Sequence, residues 1–222
     1  MVRGNGFKPI MTLQTSQSKS KLFGAKVFLA DVDKNTGQMS PQNVEDCCKK
    51  FKIKKIVRIT SDCPLIDYRI LDQMIKIFKK KRIDYYANAL PLPCKFPDGM
   101  DIEIFTFKTL KETFKKALLP SEKEHVTNYM WKKNNFKILK KNINNDLSKY
   151  RFTIDYKKDF VFFCKLIDKF GINKIHTVSM NDLINFVKKN QYLVEYQKKI
   201  KRNQGWKSSL IKDKKFFLNL KK

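Results

Sequence analysis

Apolar and polar positions along the chain follow two rhythms. Ile53–Thr60 (IKKIVRIT) holds a short β-branched run of the kind that forms a buried strand. Ser61–Ile66 (SDCPLI) reads as a loop. Beyond it, Ile70, Leu71, Met74, Ile75 and Phe78 recur at helical spacing, with Asp67 placed to cap that helix and Lys79–Lys81 to favour its end. Ile83–Ala87 (IDYYA) is a second expected strand. Leu90–Gly99 is a loop punctuated by proline, and Asp101–Phe107 (DIEIFTF) alternates as a strand does. Helices are expected over Thr109–Leu118 and Glu122–Lys132, the latter opened by Ser121-x-x-Glu124 as a capping box.

The pattern continues with strands over Phe136–Leu139 and Arg151–Ile154. Lys157–Phe170 is a helix that turns Phe160, Phe163, Ile167 and Phe170 inward and stops at Gly171. Ser179 caps a last core helix through Lys189. Toward the N-terminus the signal weakens. Residues 1–20 read as loop, Ala25–Leu29 as a short strand, Asp31–Pro41 as polar turns and Gln42–Phe51 as a helix. The expected organisation is a loose segment over 1–23, an α/β domain over 24–190 and a basic tail over 191–222. Strands alternating with helices imply an α/β fold with a mostly parallel sheet flanked by helices.

Composition narrows the function classes. Apolar residues at 42% and charged residues at 31% suit a globular chain. The 48 Lys and Arg against 21 Asp and Glu leave a formal charge of +27, a field that attracts polyanions. The basic residues are mostly lysine and run from Lys8 to Lys222 with no single block, which argues against a dedicated nucleic-acid surface, where arginine is the better reader. Cys47, Cys48, Cys63, Cys94 and Cys164 form no C-x-x-C pair, and His125 and His176 lie far from them in sequence. A zinc site or disulfide framework is therefore not expected, and reduced thiols in a cytoplasm are. No stretch has the length needed to span a bilayer.

Candidate chemistry gathers in a few segments. In Ile56–Asp67 (IVRITSDCPLID), Asp62 follows a buried strand, where α/β sheets bind their ligands, and could hold Mg²⁺ on a triphosphate; it could equally cap the turn. Tyr150–Phe160 (YRFTIDYKKDF) repeats the arrangement with Asp155, which could also be the N-cap of the next helix. Phe96–Phe105 (FPDGMDIEIF) places Asp101 and Glu103 on one strand face, opposite Ile102 and Ile104, facing either sugar hydroxyls or solvent. In Ser121–Tyr129 (SEKEHVTNY), His125 is either a substrate contact or a structural histidine near a helix start.

Taken in order, these segments resemble the spore coat polysaccharide biosynthesis protein F group of the acylneuraminate cytidylyltransferase superfamily. The resemblance runs from Phe51 to Lys189, and RNQGWKSSLIKDKKF (Arg202–Phe216) also resembles that group. It implies a Rossmann-like nucleotidyltransferase fold and attack of a sugar or sugar-acid hydroxyl on the α-phosphate of CTP, giving a CMP-sugar for surface polysaccharide and pyrophosphate. It implies Mg²⁺ as cofactor and Asp62 and Asp155 as its ligands. Asp101, Glu103, Glu124, His125 and Arg151 would line the acceptor side, and a homodimer would be the assembly. Where relatives place a proline, this chain has Lys157. Their loop of type R-x-G-S-x-R-x-P-x-K, which cradles the triphosphate, is not found here, Arg3–Pro9 being no more than a faint echo of it, so a shortened N-terminal unit is expected. The alternative is an inactive remnant that serves as a binding or partner subunit.

Overall fold

The computed structural model describes residues 10–11, 28–29, 41–90, 92–132, 135–195, 200, 202 and 204–219. The expected loose segment over 1–23 lies outside the described residues except at 10–11, which form a strand where loop was expected, and Arg3–Pro9 lies outside them as well. The expected shortening of the first unit falls largely outside them as well.

The chain divides into two compact units. The first is Met1–Ile56 with Thr106–Lys108. There β1 (Ile10–Met11) lies parallel to β2 (Phe28–Leu29). Helix α1 (Pro41–Lys50) stops where Lys52 adopts a left-handed φ of 52° and the Ile53 amide donates to the Cys48 carbonyl at 2.8 Å.

The second unit is Val57–Phe105 with Thr109–Lys222. An open four-stranded sheet has the order β3 (Lys55–Arg58), β5 (Glu103–Thr106), β4 (Tyr85–Ala87), β6 (Ile138–Lys140). β4 runs parallel to β6 and antiparallel to β5. The antiparallel step follows from the connection: residues 88–90 and 92–102 contain no helix, and without a crossover helix the chain turns back. Helices α3 (Phe107–Lys116), α4 (Pro120–Glu124) and α5 (Asn128–Lys132) make the crossover from β5 to β6. Met74, Phe78, Tyr85, Phe96, Phe105 and Phe152 are each under 2% exposed, worth about 1.5–3 kcal/mol of apolar burial apiece.

The periodic helices appear as expected. α2 (Tyr68–Lys80) buries Leu71, Met74, Ile75 and Phe78. Its cap, Asp67, accepts from the Arg69 amide at 3.0 Å and also from the Met180 amide at 2.9 Å, so one buried carboxylate starts two helices. α6 (Lys157–Phe170) ends at Gly171, and Ser179 caps α7 (Met180–Lys189). The inward face of α6 differs from the expected one: Phe162 and Leu166 are buried, and Phe160 is 56% exposed. Two further expectations need correction. Arg151–Ile154 is not a strand; Arg151 makes a single isolated bridge to Asp98. The helix expected over Glu122–Lys132 is two short helices, because Val126 takes a φ of +48° between them. Its start also differs: Pro120 occupies the first turn, and Glu122, not Glu124, accepts from the Leu118 and Leu119 amides at 3.0 and 3.2 Å. Short α8 (Tyr192–Glu195) precedes α9 (Gln204–Asn219), which packs on α4.

Candidate active site at the carboxyl edge of the sheet

Topology alone brings several carboxylates to one edge. The chain leaves β3 at its carboxyl end and reaches Asp62. It leaves β4 at its carboxyl end into the loop carrying Asp98 and Asp101. Because β5 runs the other way, its first residue, Glu103, sits at this same edge. Asn88, fully buried just after β4, closes the loop: its side chain donates to the Met100 carbonyl at 2.6 Å and accepts from the Ile102 amide at 2.8 Å.

Three of the segments singled out from sequence meet here. The Ile154 amide donates to the Asp62 carbonyl at 2.9 Å, and the Thr153 hydroxyl lies 3.1 Å from the Asp62 carboxylate. The Pro97–Gly99 turn presses onto the same stretch: the Asp98 amide donates to the Tyr150 carbonyl at 2.9 Å and the Phe152 amide to the Asp98 carbonyl at 2.7 Å. Gly99 is required there. It has a φ of +87°, and a Cβ on it would stand 2.3 Å from the Thr153 nitrogen.

The charges interleave. Arg151, only 10% exposed, is gripped by Asp159 through two contacts at 2.9 and 2.8 Å, by Asp98 at 2.6 Å and by Asp155 at 2.6 Å. Burial works against its charge, but Asp159, Asp155 and Asp98 more than offset this and raise its basicity. Arg202 follows, with Nε 3.3 Å from Asp98 and Nη2 3.5 Å from Asp101. Arg58 binds Glu103 at 2.5 Å, and Glu103 also accepts from Tyr85 at 2.5 Å and Thr127 at 2.6 Å. The expectation that Glu103 faces sugar hydroxyls or solvent is therefore corrected: it is 3% exposed and fully engaged with protein donors. Asp101 keeps 35% side-chain exposure at a small cavity lined by Arg58, Thr60, Ala89, Leu90 and Glu103. Burial, with Asp98, Glu103 and Asp62 nearby and Arg202 opposing, pushes its carboxyl up to about 7. Burial also raises Asp98 and, more strongly, the Cys63 thiol.

The fourth segment turns away from this edge. Glu124 pairs with Lys212 at 2.9 Å, and the half-buried His125 ring lies 2.9 Å from the Ser209 hydroxyl, both partners on α9. Burial holds His125 below its ordinary range. Only Thr127 of that segment reaches back, through Glu103. Sequence reasoning passed over Arg58, Asp98 and Arg202, whose partners lie far off in the chain. It also passed over Asp159, whose partners Arg151, Asp155 and Tyr156 are local and whose spacing after Asp155 at a helix start was the one available signal.

On a chain of formal charge +27, this edge gathers Asp62, Asp98, Asp101, Glu103, Asp155 and Asp159 around Arg58, Arg151 and Arg202. Local carboxylate excess suits a hard cation. Among the described residues no group of His, Cys, Asp or Glu forms a complete metal cage. Mg²⁺ needs none: one or two carboxylates with phosphate oxygens and water satisfy it. At this edge Asp155 is 44% exposed and paired with Arg151 at 2.6 Å.

No protein-family model matches the chain. An uncharacterized protein of Methanocaldococcus jannaschii is 31% identical over 138 residues, 61% of this chain and 54% of the relative; the chain thus spans about half the length of that curated relative. The solved structure of a cytidylyltransferase from Leptospira borgpetersenii serovar Hardjo-bovis is 33% identical, covers 83% of this chain and 76% of its own, and superposes with a TM-score of 0.67. Among the described residues, no helix is long and apolar enough to cross a membrane.

Proposed function

The chain belongs to the cytidylyltransferase family, and from that premise we propose that it transfers the CMP moiety of CTP to a sugar or sugar-acid hydroxyl in the cytoplasm, supplying surface polysaccharide synthesis. The acceptor oxygen attacks the α-phosphorus, the bond to the bridging oxygen of the β-phosphate breaks, and pyrophosphate leaves. The observation that carries this reading is the meeting of Asp62, the Asp98–Glu103 segment and the Arg151–Asp155 segment at one sheet edge.

Asp62 and Asp155 would hold Mg²⁺, which neutralises charge on the phosphate oxygens when bound. The rest falls to the protein's own groups. Thr153 orients the Asp62 carboxylate. Asp101, with a carboxyl near 7, is matched to accept the acceptor's proton at neutral pH. Arg151 fixes Asp98, Asp155 and Asp159 in one constellation, so that positioning precedes substrate. Glu124 and His125 serve the acceptor side by holding the turn that brings Thr127 to Glu103. A homodimer is the proposed assembly.

The test is pyrophosphate release from CTP and Mg²⁺ across a panel of sugars and sugar acids, with mass identification of the nucleotide product. A CMP-sugar formed by the wild type and not by Asp62→Ala supports the reading. No release with any acceptor, from folded protein, points instead to a partner subunit.

A further inference from the structure

We propose that Arg202 is a positioning residue, delivered by the C-terminal segment to set the Cys94–Asp101 loop and the Asp101 carboxylate it presents. This rests on reading the sheet edge as the active site.

The geometry is specific. Arg202 comes from the far end of the chain, yet its guanidinium spans the whole loop. Nη1 donates to the Phe96 carbonyl at 2.9 Å, Nε faces Asp98 at 3.3 Å, and Nη2 faces Asp101 at 3.5 Å and the Cys94 sulfur at 3.8 Å. A planar fork with several fixed donors can do this; a lysine ammonium, one point charge, cannot. The loop needs such a brace. It is pressed onto Thr153 at Gly99 and carries Asp98 and Asp101, whose like charges oppose each other. Asp98 already has Arg151, whereas Asp101 pairs with Arg202 among the described residues.

Described residues on either side of Arg202 are anchored. Leu193, before it, is fully buried. After it, α9 is tied to α4 by Asp213, which accepts from the Ser121 amide at 2.8 Å and hydroxyl at 2.6 Å. The strongest Arg202 contact is the backbone carbonyl of Phe96, and its carboxylate contacts are longer. The fork therefore fixes the loop's path without fully occupying Asp101.

The experiment uses the full chain with ¹³C-labelled aspartate and compares wild type, Arg202→Lys and Arg202→Ala. Two readouts are taken: amide exchange over 96–101 and the Asp101 carboxyl resonance. The expected result is faster exchange by roughly tenfold in both variants and a displaced Asp101 resonance. Millimolar guanidinium ion should restore both in Arg202→Ala, and Lys should not substitute. An unmoved Asp101 resonance, or restoration by Lys alone, overturns the proposal. Neither readout needs nucleotide, so a wild type that turns over no CTP would sink the proposed function while leaving this result legible.

Discussion

The Thr153 hydroxyl lies 3.0 Å from the carbonyl oxygen and 3.1 Å from the carboxylate of Asp62, binding together segments 91 residues apart. Replacing Thr153 with Val keeps the shape and removes the hydroxyl. The loss should weaken the CTP–Mg²⁺ complex by roughly fivefold, about 1 kcal/mol, and lower the melting temperature by about 2–4 °C. Calorimetric titration reads the first and a thermal scan the second.

Gly99 and Gly171 both have positive φ, +87° and +82°, but differ in surroundings. A Cβ at Gly99 collides with the Thr153 backbone, while one at Gly171 meets nothing within 4 Å. Gly171→Ala should therefore cost about 1 kcal/mol, the conformational term alone. Gly99→Ala should cost about 3 kcal/mol or more. Urea denaturation midpoints of the two variants decide it.

Asp159 and Asp155 both hold Arg151, but Asp159 has no side-chain exposure and also accepts from the Asp155 and Tyr156 amides at 3.0 and 3.1 Å. Asp159→Ala leaves a buried guanidinium short of its main partner and should destabilise by about 3–5 kcal/mol. Asp155→Ala, at an exposed pair, should cost at most about 1 kcal/mol while removing a proposed metal ligand. Stability measured beside nucleotide binding separates the two roles.

Asp101 gives a pH dependence of definite sign. In the folded chain its carboxyl is pushed up to about 7 by burial, whereas an unfolded aspartate titrates near ~3.9. Between those values the folded state holds a proton that the unfolded state has lost. The Asp101 contribution is therefore complete below the unfolded value and is lost as pH rises toward 7. Asp101→Asn should melt close to wild type at pH ~4 and above it at pH ~8. A variant that melts lower at alkaline pH would show that the Arg202 pairing outweighs burial.

Much of this was legible in the sequence because it is local. Apolar spacing located α2, α6 and α7. The strand-then-aspartate pattern holds for Asp62 after β3 and not for Asp155, which follows no strand. What failed to show was non-local. Arg151–Ile154 looks like a strand, yet the Gly99 turn occupies its flank and leaves an extended segment with one bridge. Nothing in Val126 signals its left-handed φ; the break lets Thr127 reach a glutamate 24 positions earlier. Arg202 carried no site signal of its own, since its partners lie 101 and 106 positions away.

The most direct test of the account is calorimetric titration of the full chain with CTP and Mg²⁺, with Asp62→Ala alongside. The account predicts saturable, Mg²⁺-dependent binding that prefers CTP and is lost in the variant. Binding that is absent from folded wild type, or that survives intact in Asp62→Ala, would contradict it.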